Sequence, residues 1–269
     1  MDILTHTLSG LATATVVASF SDRSPVGKGF ILLAGAIGGA FPDIDAISMW
    51  SKFDETFGTW FNLPFTGREI YSMKLWYSHH SFFHSLPGAV LMSTVFTFFL
   101  YLPYLIFRKA QYTLRSFWML KRIFPLTFFG GYLSGIIGDL PTPSSAWGGI
   151  NLFWPTDIYF GGWGKIWWWN NYDIFLILLV CSVVNIIFVL LIQRWVRRVF
   201  RLLPAFLMIV ALSLIILQLN ARQTDFSYEG STARYNEFED ASKKEQQRIL
   251  GPTLYQMMLD FDNRMRFYF

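Results

Sequence analysis

Residues 172–193 read YDIFLILLVCSVVNIIFVLLIQ, and a basic stretch, RWVRR, follows at residues 194–198. The first stretch carries one charged residue, Asp173, and is long enough to cross the ~30 Å hydrocarbon core of a bilayer as a helix. A soluble helix of this length shows an apolar stripe on one face, whereas here apolar residues fill every face. The stretch therefore predicts an integral membrane protein.

The composition supports the same class of protein. Of 269 residues, 53% are hydrophobic and only 15% are charged, against about 25% charged residues in a typical soluble domain. The mean hydropathy is +0.37. The single cysteine, Cys181, lies inside the quoted run, which excludes a disulfide framework and a thiolate zinc site. Any bound metal must therefore be held by histidine and carboxylate.

Six mostly apolar segments predict an all-α, polytopic membrane helix bundle of about six transmembrane helices. They are residues 3–20, 29–50, 85–107, 124–140, 172–193 and 202–219. We predict that residues 1–219 form one membrane-embedded domain. The polar remainder, residues 220–269, predicts a small amphipathic helical tail outside the cytoplasm, in which Pro252 is placed to start a second helix.

The distribution of basic residues predicts the orientation of these helices. Three alternate connections contain half of the 22 basic residues and a single acidic residue, Asp22. The basic residues are Arg23, Lys28, Arg108, Lys109, Arg115, Lys121, Arg122, Arg194, Arg197, Arg198 and Arg201. The positive-inside rule places these connections in the cytoplasm and both termini outside, as in a multi-pass protein of the bacterial cytoplasmic (inner) membrane. Because topology explains these charges, nucleic acid is not expected as a partner.

The second external connection is rich in tryptophan. Residues 167–169 are all tryptophan, and Phe153 and Trp154 precede them. Two interpretations are open: an aromatic belt at the membrane surface, which we expect, or the lining of a groove that faces lipid.

The histidines and a few aspartates predict a site on the external face. All four histidines and three carboxylates fall near the external ends of predicted helices: His6, Asp43, Asp45, His79, His80, His84 and Asp139. Residues 80 and 84 share one face of a helix if the helix includes both. Pro42 interrupts the second segment beside the two carboxylates. We expect these side chains to converge.

Imidazole and carboxylate together are typical ligands of a divalent cation, and zinc is the ion expected here. Carboxylates at membrane depth are costly and mark functional sites. The structural alternative is that the same groups only form hydrogen bonds between helices. Glycines at 10, 35, 38, 39, 131, 135 and 138 predict that the segments carrying His6, Asp43 and Asp139 pack closely.

Five short blocks resemble the membrane-bound metal-dependent hydrolase family, which includes a LexA-regulated inner-membrane protein. The blocks are MDILTHTLSG (1–10), FPDID (41–45), HHSFFHS (79–85), GYLSGIIGDLPTP (131–143) and LFWP (152–155). The resemblance covers about residues 1–160 and extends distantly to zinc-dependent phospholipase C. It implies six metal residues: His6, Asp43, Asp45, His79, His84 and Asp139.

Three positions depart from the family pattern. The family has His-Arg where this chain has His79-His80, Thr at Phe83 and His at Gly135. The last departure leaves three alternatives open: a site with a single metal, His80 as the replacement ligand, or a homologue without activity.

The expected function is a metal-dependent hydrolase acting on an ester or phosphoester at the outer membrane interface, with a membrane lipid or lipid-linked molecule as substrate. Asp43 or Asp45, if not bound to metal, is the expected general base. The alternative is a non-catalytic, metal-stabilised membrane scaffold that binds a protein partner through residues 220–269. Ion transport is disfavoured, because the polar residues gather at one face.

Reporter fusions test the predicted orientation. A fusion after Arg115 or Arg198 should report a cytoplasmic location, and a fusion after Ser145 or at the C-terminus an external one. The measurement is paired phosphatase and fluorescent-protein activity in whole cells. A cytoplasmic C-terminus would contradict the shared external face of the seven polar residues.

Overall fold

The computed structural model describes residues 1–107 and 113–265, so the predicted cytoplasmic residues Arg108 and Lys109 lie outside the described residues. Within these ranges regular structure is helical, and strand-like pairing is limited to isolated bridges. Each predicted apolar segment is a helix: α1 (Ile3–Ser19), α2 (Pro25–Ala40), α4 (Leu86–Phe107), α6 (Ile123–Asp139), α7 (Tyr172–Ile187) and α8 (Leu203–Ala221). Two short helices, α3 (Gly67–Ser72) and α5 (Leu114–Lys121), lie in the connections. The all-helical prediction is therefore confirmed for the described chain.

Length and composition support four of the predicted spans. In the described residues, four helical stretches are long and apolar enough to cross a membrane: Pro25–Met49, Leu86–Phe107, Tyr172–Trp195 and Arg198–Ala221. Helices α1 and α6 have 17 residues each, which gives about 25 Å of helix against a core of about 30 Å. The prediction of about six spans is thus supported for four of them.

Local sequence explains where the first helices begin and end. The Asp2 side chain accepts a hydrogen bond from the Thr5 amide and caps α1, and Ser24 caps α2 with Pro25 in its first turn. Helix α2 changes at Phe41 into a 3₁₀ segment, Phe41–Met49, that contains Pro42. Because proline has no N–H to continue the α-helical pattern, this change is the interruption that the sequence predicts.

Helices α1, α2 and α6 form the centre of the bundle and meet at glycines. A Cβ atom on Gly10 or Gly131 would overlap the Gly35 carbonyl, and a Cβ atom on Gly39 would overlap the backbone of α1. The helices least apolar in sequence are therefore those in closest contact, as their small residues predict. This contact brings the N-terminus of α1 beside the ends of α2 and α6.

The C-terminal tail packs onto the loop of residues 141–171. It contains α9 (Tyr235–Met265), which is broken at Gly251, where φ is 73°, and Pro252 starts the second half as predicted. Phe226 is fully buried against Trp167, and Arg222 forms a buried ion pair with Asp173 at 2.8 Å. The tail is thus attached to the helical domain by apolar and charged contacts.

The aromatic belt interpretation is wrong for two of its residues. Trp167 is fully buried and Trp168 is 8% exposed, because both pack in a cluster with Trp147 and Phe226. Trp169 remains exposed. The tail provides partners for these rings that the sequence of the loop does not reveal.

Adding one methyl group to α2 tests the glycine contact. Gly35→Ala should destabilise the protein by about 1–3 kcal/mol, because its Cβ atom would overlap Ala14 and the Gly10 carbonyl. Gly29→Ala is the matched control on the same helix, since open space surrounds that position. It should be neutral or stabilising by up to about 1 kcal/mol. Unfolding of purified protein in detergent measures both, and equal effects would contradict the packing account.

Candidate metal centre

Three helical elements carry the aspartates and His6 to one place. His6 lies in the second turn of α1, Asp43 and Asp45 lie on the 3₁₀ segment, and Asp139 is the last residue of α6. All four side chains are at least nine-tenths buried. The close packing of α1, α2 and α6 therefore concentrates three carboxylates in an interior.

The other three histidines precede α4: His79 and His80 lie in a turn, and His84 ends a short 3₁₀ helix. Residues 82–84 form a short 3₁₀ helix, and α4 begins only at Leu86. The interpretation that His80 and His84 share a helix face is therefore wrong. Instead, His80 has a left-handed backbone with φ 63°, and the ring centroids of His79, His80 and His84 lie 4.3 to 4.8 Å apart. A non-glycine residue in this region of φ is strained and is common at functional sites.

Two groups of side chains have the arrangement of cation ligands. One consists of His6, Asp43 and Asp139, and the other of His79, His80 and His84; within each, one ligand atom per residue lies within 4.8 Å of the others. The groups are adjacent. His84 Nε2 lies 3.5 Å from Asp43 Oδ1 and 3.5 Å from Asp139 Oδ2.

These donors fit a divalent cation by spacing and by hydrogen bonding. Ligand bonds of about 2.0–2.1 Å in a tetrahedral site separate neighbouring ligand atoms by about 3.3–3.4 Å. The observed 3.5 Å separations are close to that value. His84 Nε2 and Asp139 Oδ2 are buried without a hydrogen-bond partner in the described chain, and a buried polar group without a partner is unfavourable. A cation between them would satisfy both atoms.

Asp45 has a different position from the one predicted for it. Its Oδ1 lies 2.7 Å from His79 Nδ1 and its Oδ2 lies 3.2 Å from His84 Nδ1, and it belongs to neither group of converging ligands. A carboxylate that accepts from Nδ1 orients the ring and leaves Nε2 available as a ligand. Both oxygens of Asp45 thus contact imidazoles, and its role as metal ligand or general base stays a prediction.

Hydrogen bonding also defines the state of His80. Its Nδ1 lies 3.1 Å from the Gly149 carbonyl oxygen, which only accepts, so Nδ1 carries the proton. Burial, followed by the nearby His79 and His84, lowers the pKa of His80 well below its ordinary value. The neutral ring then presents Nε2 as a lone-pair donor, as a metal ligand requires.

His84 has the opposite electrostatic environment. Burial alone would lower its pKa, but the Asp45 charge and the carboxylates of Asp139 and Asp43 outweigh burial and raise the pKa well above its ordinary value. Without a bound cation, His84 thus carries part of the positive charge that balances the carboxylates. Protons and metal ions would compete for its Nε2 atom.

Gly135 does not leave a vacant ligand position in this chain. A Cβ atom there would lie 2.5 Å from the Gly39 carbonyl oxygen and 3.4 Å from Pro42. Residue 135 therefore faces α2 at a close helix contact. A histidine side chain at this position would have to separate α2 from α6.

Some surrounding groups were not predicted from the sequence. The Tyr71 ring stacks on His79 with centroids 4.5 Å apart and planes 12° apart, and Trp147 packs against His79 and His80. The Met1 ammonium lies 2.5 Å from Asp139 Oδ1. Tyr71 lies in a six-residue helix, Gly67–Ser72, and Trp147 in a loop, and neither segment has a periodic pattern that would place these rings here.

A cavity of about 600 Å³ reaches the cluster from the side of the tail. Asp43 and His79 line one end of it. The remaining walls are mostly apolar or aromatic and include Ile3, Leu4, Met49, Tyr71, Trp168, Trp169, Tyr172, Phe175, Met258 and Phe261. The polar cluster is thus accessible to a molecule with apolar groups.

Residues 1–222 match the family described as YdjM inner membrane protein, and the chain belongs to that family. This match, together with the four apolar helices, identifies a membrane protein. Neither a curated protein nor a solved structure matches the chain. The family match covers α1 to α8 and ends before α9.

Metal analysis of purified variants tests the assignment of ligands. Wild-type protein should contain a divalent cation, Asp139→Asn should lose most of it, and Asp45→Asn should bind it about 10–100-fold more weakly by misorienting the imidazoles. Asp157→Asn, at an exposed loop position, is the control. The measurements are elemental analysis and titration of apo-protein. Unchanged affinity in Asp139→Asn would contradict the assignment.

Proposed function

We propose that this membrane protein is a metal-dependent hydrolase that acts on an ester or phosphoester of a membrane lipid or lipid-linked molecule. The observation that carries the proposal is the spacing of His84 Nε2, Asp43 Oδ1 and Asp139 Oδ2, of which Asp43 also lines a largely apolar cavity. The proposed location is the outer face of the cytoplasmic membrane, which rests on the distribution of basic residues.

The donor set supports a divalent cation as cofactor, with zinc proposed from its preference for imidazole and carboxylate. His6, Asp43, Asp139 and His84 would hold it, with His79 and His80 as further ligands in place of the family histidine at Gly135. When bound, such a cation polarises an ester or phosphoryl oxygen and makes a water molecule more acidic.

Position distinguishes the proposed roles of the two neighbouring carboxylates. Asp43 lines the cavity and is the one that can reach a substrate, as a ligand of the cation or, if it does not bind the cation, as the general base. Asp45 holds Nδ1 of His79 and His84 and acts as a positioning residue. Tyr71 stacks on one face of the His79 ring and limits its orientation.

The walls of the cavity support an amphiphilic substrate. Phe175 and Met258 lie among apolar side chains that would contact an acyl or prenyl chain, and Asp43 and His79 would face the bond to be cleaved. Polar side chains also line the cavity, namely Asp2, Asn170, Asn171, Glu239 and Asp262. A cavity of this volume with both apolar and polar walls can accept a small molecule.

A non-catalytic scaffold is the second candidate, and the tail is the observation that favours it. Residues 223–265 lie beyond the family match and contain a long charged helix. That helix nevertheless contributes Glu239, Met258 and Phe261 to the cavity, which favours a role of the tail in the site.

Loss of Asp43 tests the hydrolase proposal. Asp43→Asn should lower the hydrolysis of ester and phosphodiester reporter substrates by about 10²-fold or more, because the variant removes the carboxylate beside the substrate that would act as metal ligand or as general base. The exposed Asp157→Asn variant should retain activity. Metal content is measured on the same preparations. Wild-type protein that carries metal but hydrolyses neither class of reporter would favour the scaffold.

Substitutions at two adjacent methionines test whether the cavity binds the apolar chain of the substrate. Met258→Trp should fill part of the cavity and reduce turnover of long-chain substrates more than of short-chain ones. Met257→Trp is the matched control, since Met257 is 63% exposed and Met258 only 8%. The comparison uses one ester series that differs only in chain length. The same dependence on chain length in both variants would contradict binding of the apolar chain in this cavity.

A further inference from the structure

A second cavity, of about 220 Å³, lies at the end of the bundle opposite the histidines. It is bordered by the turn after α1, which contains Asp22 and Arg23, and by the segment from α7 to α8, which contains Arg194 and Arg201. The length of α1, about 25 Å, separates it from His6. It is therefore distinct from the candidate metal centre.

The charges that line this cavity are mainly positive. Arg23, Lys28, Arg194 and Arg201 line it with one acidic residue, Asp22. Asp22 is 81% exposed and binds Arg201 at 2.5 Å, so it neutralises at most one of the four cations. The positive-inside rule accounts for basic residues on this side, but it does not require a cavity between them.

Lys28 is a buried cation beside this cavity. It is 8% exposed, and its ammonium donates to Gln193 Oε1 at 2.6 Å and to the Val189 carbonyl at 3.4 Å. Within the described residues, Lys28 has no carboxylate within 4.0 Å. An ammonium has three donors, so one N–H remains available beside the cavity. A buried cation without a counter-ion is costly, and an anion in the cavity would compensate it.

The two turns that form the cavity are fixed to each other. The Ser19 hydroxyl donates to the Arg201 carbonyl at 2.9 Å, and the Gln193 amide donates to the Ser19 carbonyl. Arg23 donates to the Leu120 carbonyl at 2.8 Å. Segments far apart in sequence thus hold the basic side chains around one space in a preorganised arrangement.

Exposed apolar residues surround this polar end. Phe20, Val26, Trp195 and Phe200 are each at least half exposed. A tryptophan such as Trp195, beside cationic side chains at the end of an apolar helix, is typical of the lipid headgroup level. An anion at this depth therefore lies within reach of a phospholipid phosphate.

We propose that the cavity lined by Arg23, Lys28, Arg194 and Arg201 binds a phosphate group, supplied by the headgroup of an anionic phospholipid or by free phosphate. Basic pockets between transmembrane helices bind anionic headgroups in this way. The proposal is independent of the hydrolase proposal, because it uses none of the histidines or cavity residues at the other end.

Native mass spectrometry of the full, delipidated chain tests the site. The probes are phosphatidylglycerol and phosphatidylcholine with identical acyl chains, and inorganic phosphate as a competitor. Wild-type protein should prefer phosphatidylglycerol, and Lys28→Met should reduce that preference by about fivefold. Displacement of the lipid by millimolar phosphate would assign the phosphate group itself as the recognised feature. Resistance to phosphate would assign the intact headgroup.

Matched variants separate a specific site from a general effect of charge. Arg115→Gln removes an exposed cation outside the cavity and should leave the preference unchanged. Asp22→Asn removes the acidic residue and should increase the preference. If Lys28→Met fails to fold, Arg201→Gln, with a side chain 26% exposed, serves in its place. Two results would overturn the proposal. In the first, wild-type protein binds both lipids equally and binds no phosphate. In the second, Arg115→Gln reduces the preference as much as Lys28→Met does.

Discussion

The close backbone contact of α1, α2 and α6 is the constraint on which the rest of the structure depends. Gly10, Gly35 and Gly39 leave no room for a side chain between these helices. Because the helices touch along their backbones, the polar residues at their ends are brought within a few ångströms of one another. A larger residue at the contact would therefore disturb both the packing and the site.

This geometry creates an electrostatic requirement. Asp43, Asp45 and Asp139 are each less than 10% exposed, and carboxylates buried together repel one another unless cations or protons balance them. In the structure the Met1 ammonium and the surrounding imidazoles supply that balance. Three buried atoms of the cluster, His6 Nδ1, His84 Nε2 and Asp139 Oδ2, have no hydrogen-bond partner among the described residues. A divalent cation is the simplest group that would satisfy both charge and coordination.

Sequence reasoning predicted the helices and the participants of the cluster, but not how they meet. Apolar length alone is sufficient to locate α7, and Pro42 marks the end of α2. The arrangement of His79 and His80, in contrast, depends on a left-handed residue in a turn. The burial of Trp167 depends on the distant Phe226. Contacts between loops far apart in sequence leave no periodic signal, so the chain reveals them only when folded.

Gly135 departs from the pattern of the hydrolase family that the sequence resembles, and its position in the fold gives a physical reason. By sequence it is a missing ligand, since residues 135 and 139 lie one helical turn apart. In the fold it is a helix contact, with the Gly39 carbonyl 2.5 Å from where a side chain would begin. His80, held by the Gly149 carbonyl beside His79 and His84, supplies an imidazole from the other side of the cluster. Glycine at 135 is therefore compatible with the close helix contact, and His80 is an imidazole that the family pattern lacks. The glycine alone does not argue against a metal in this chain.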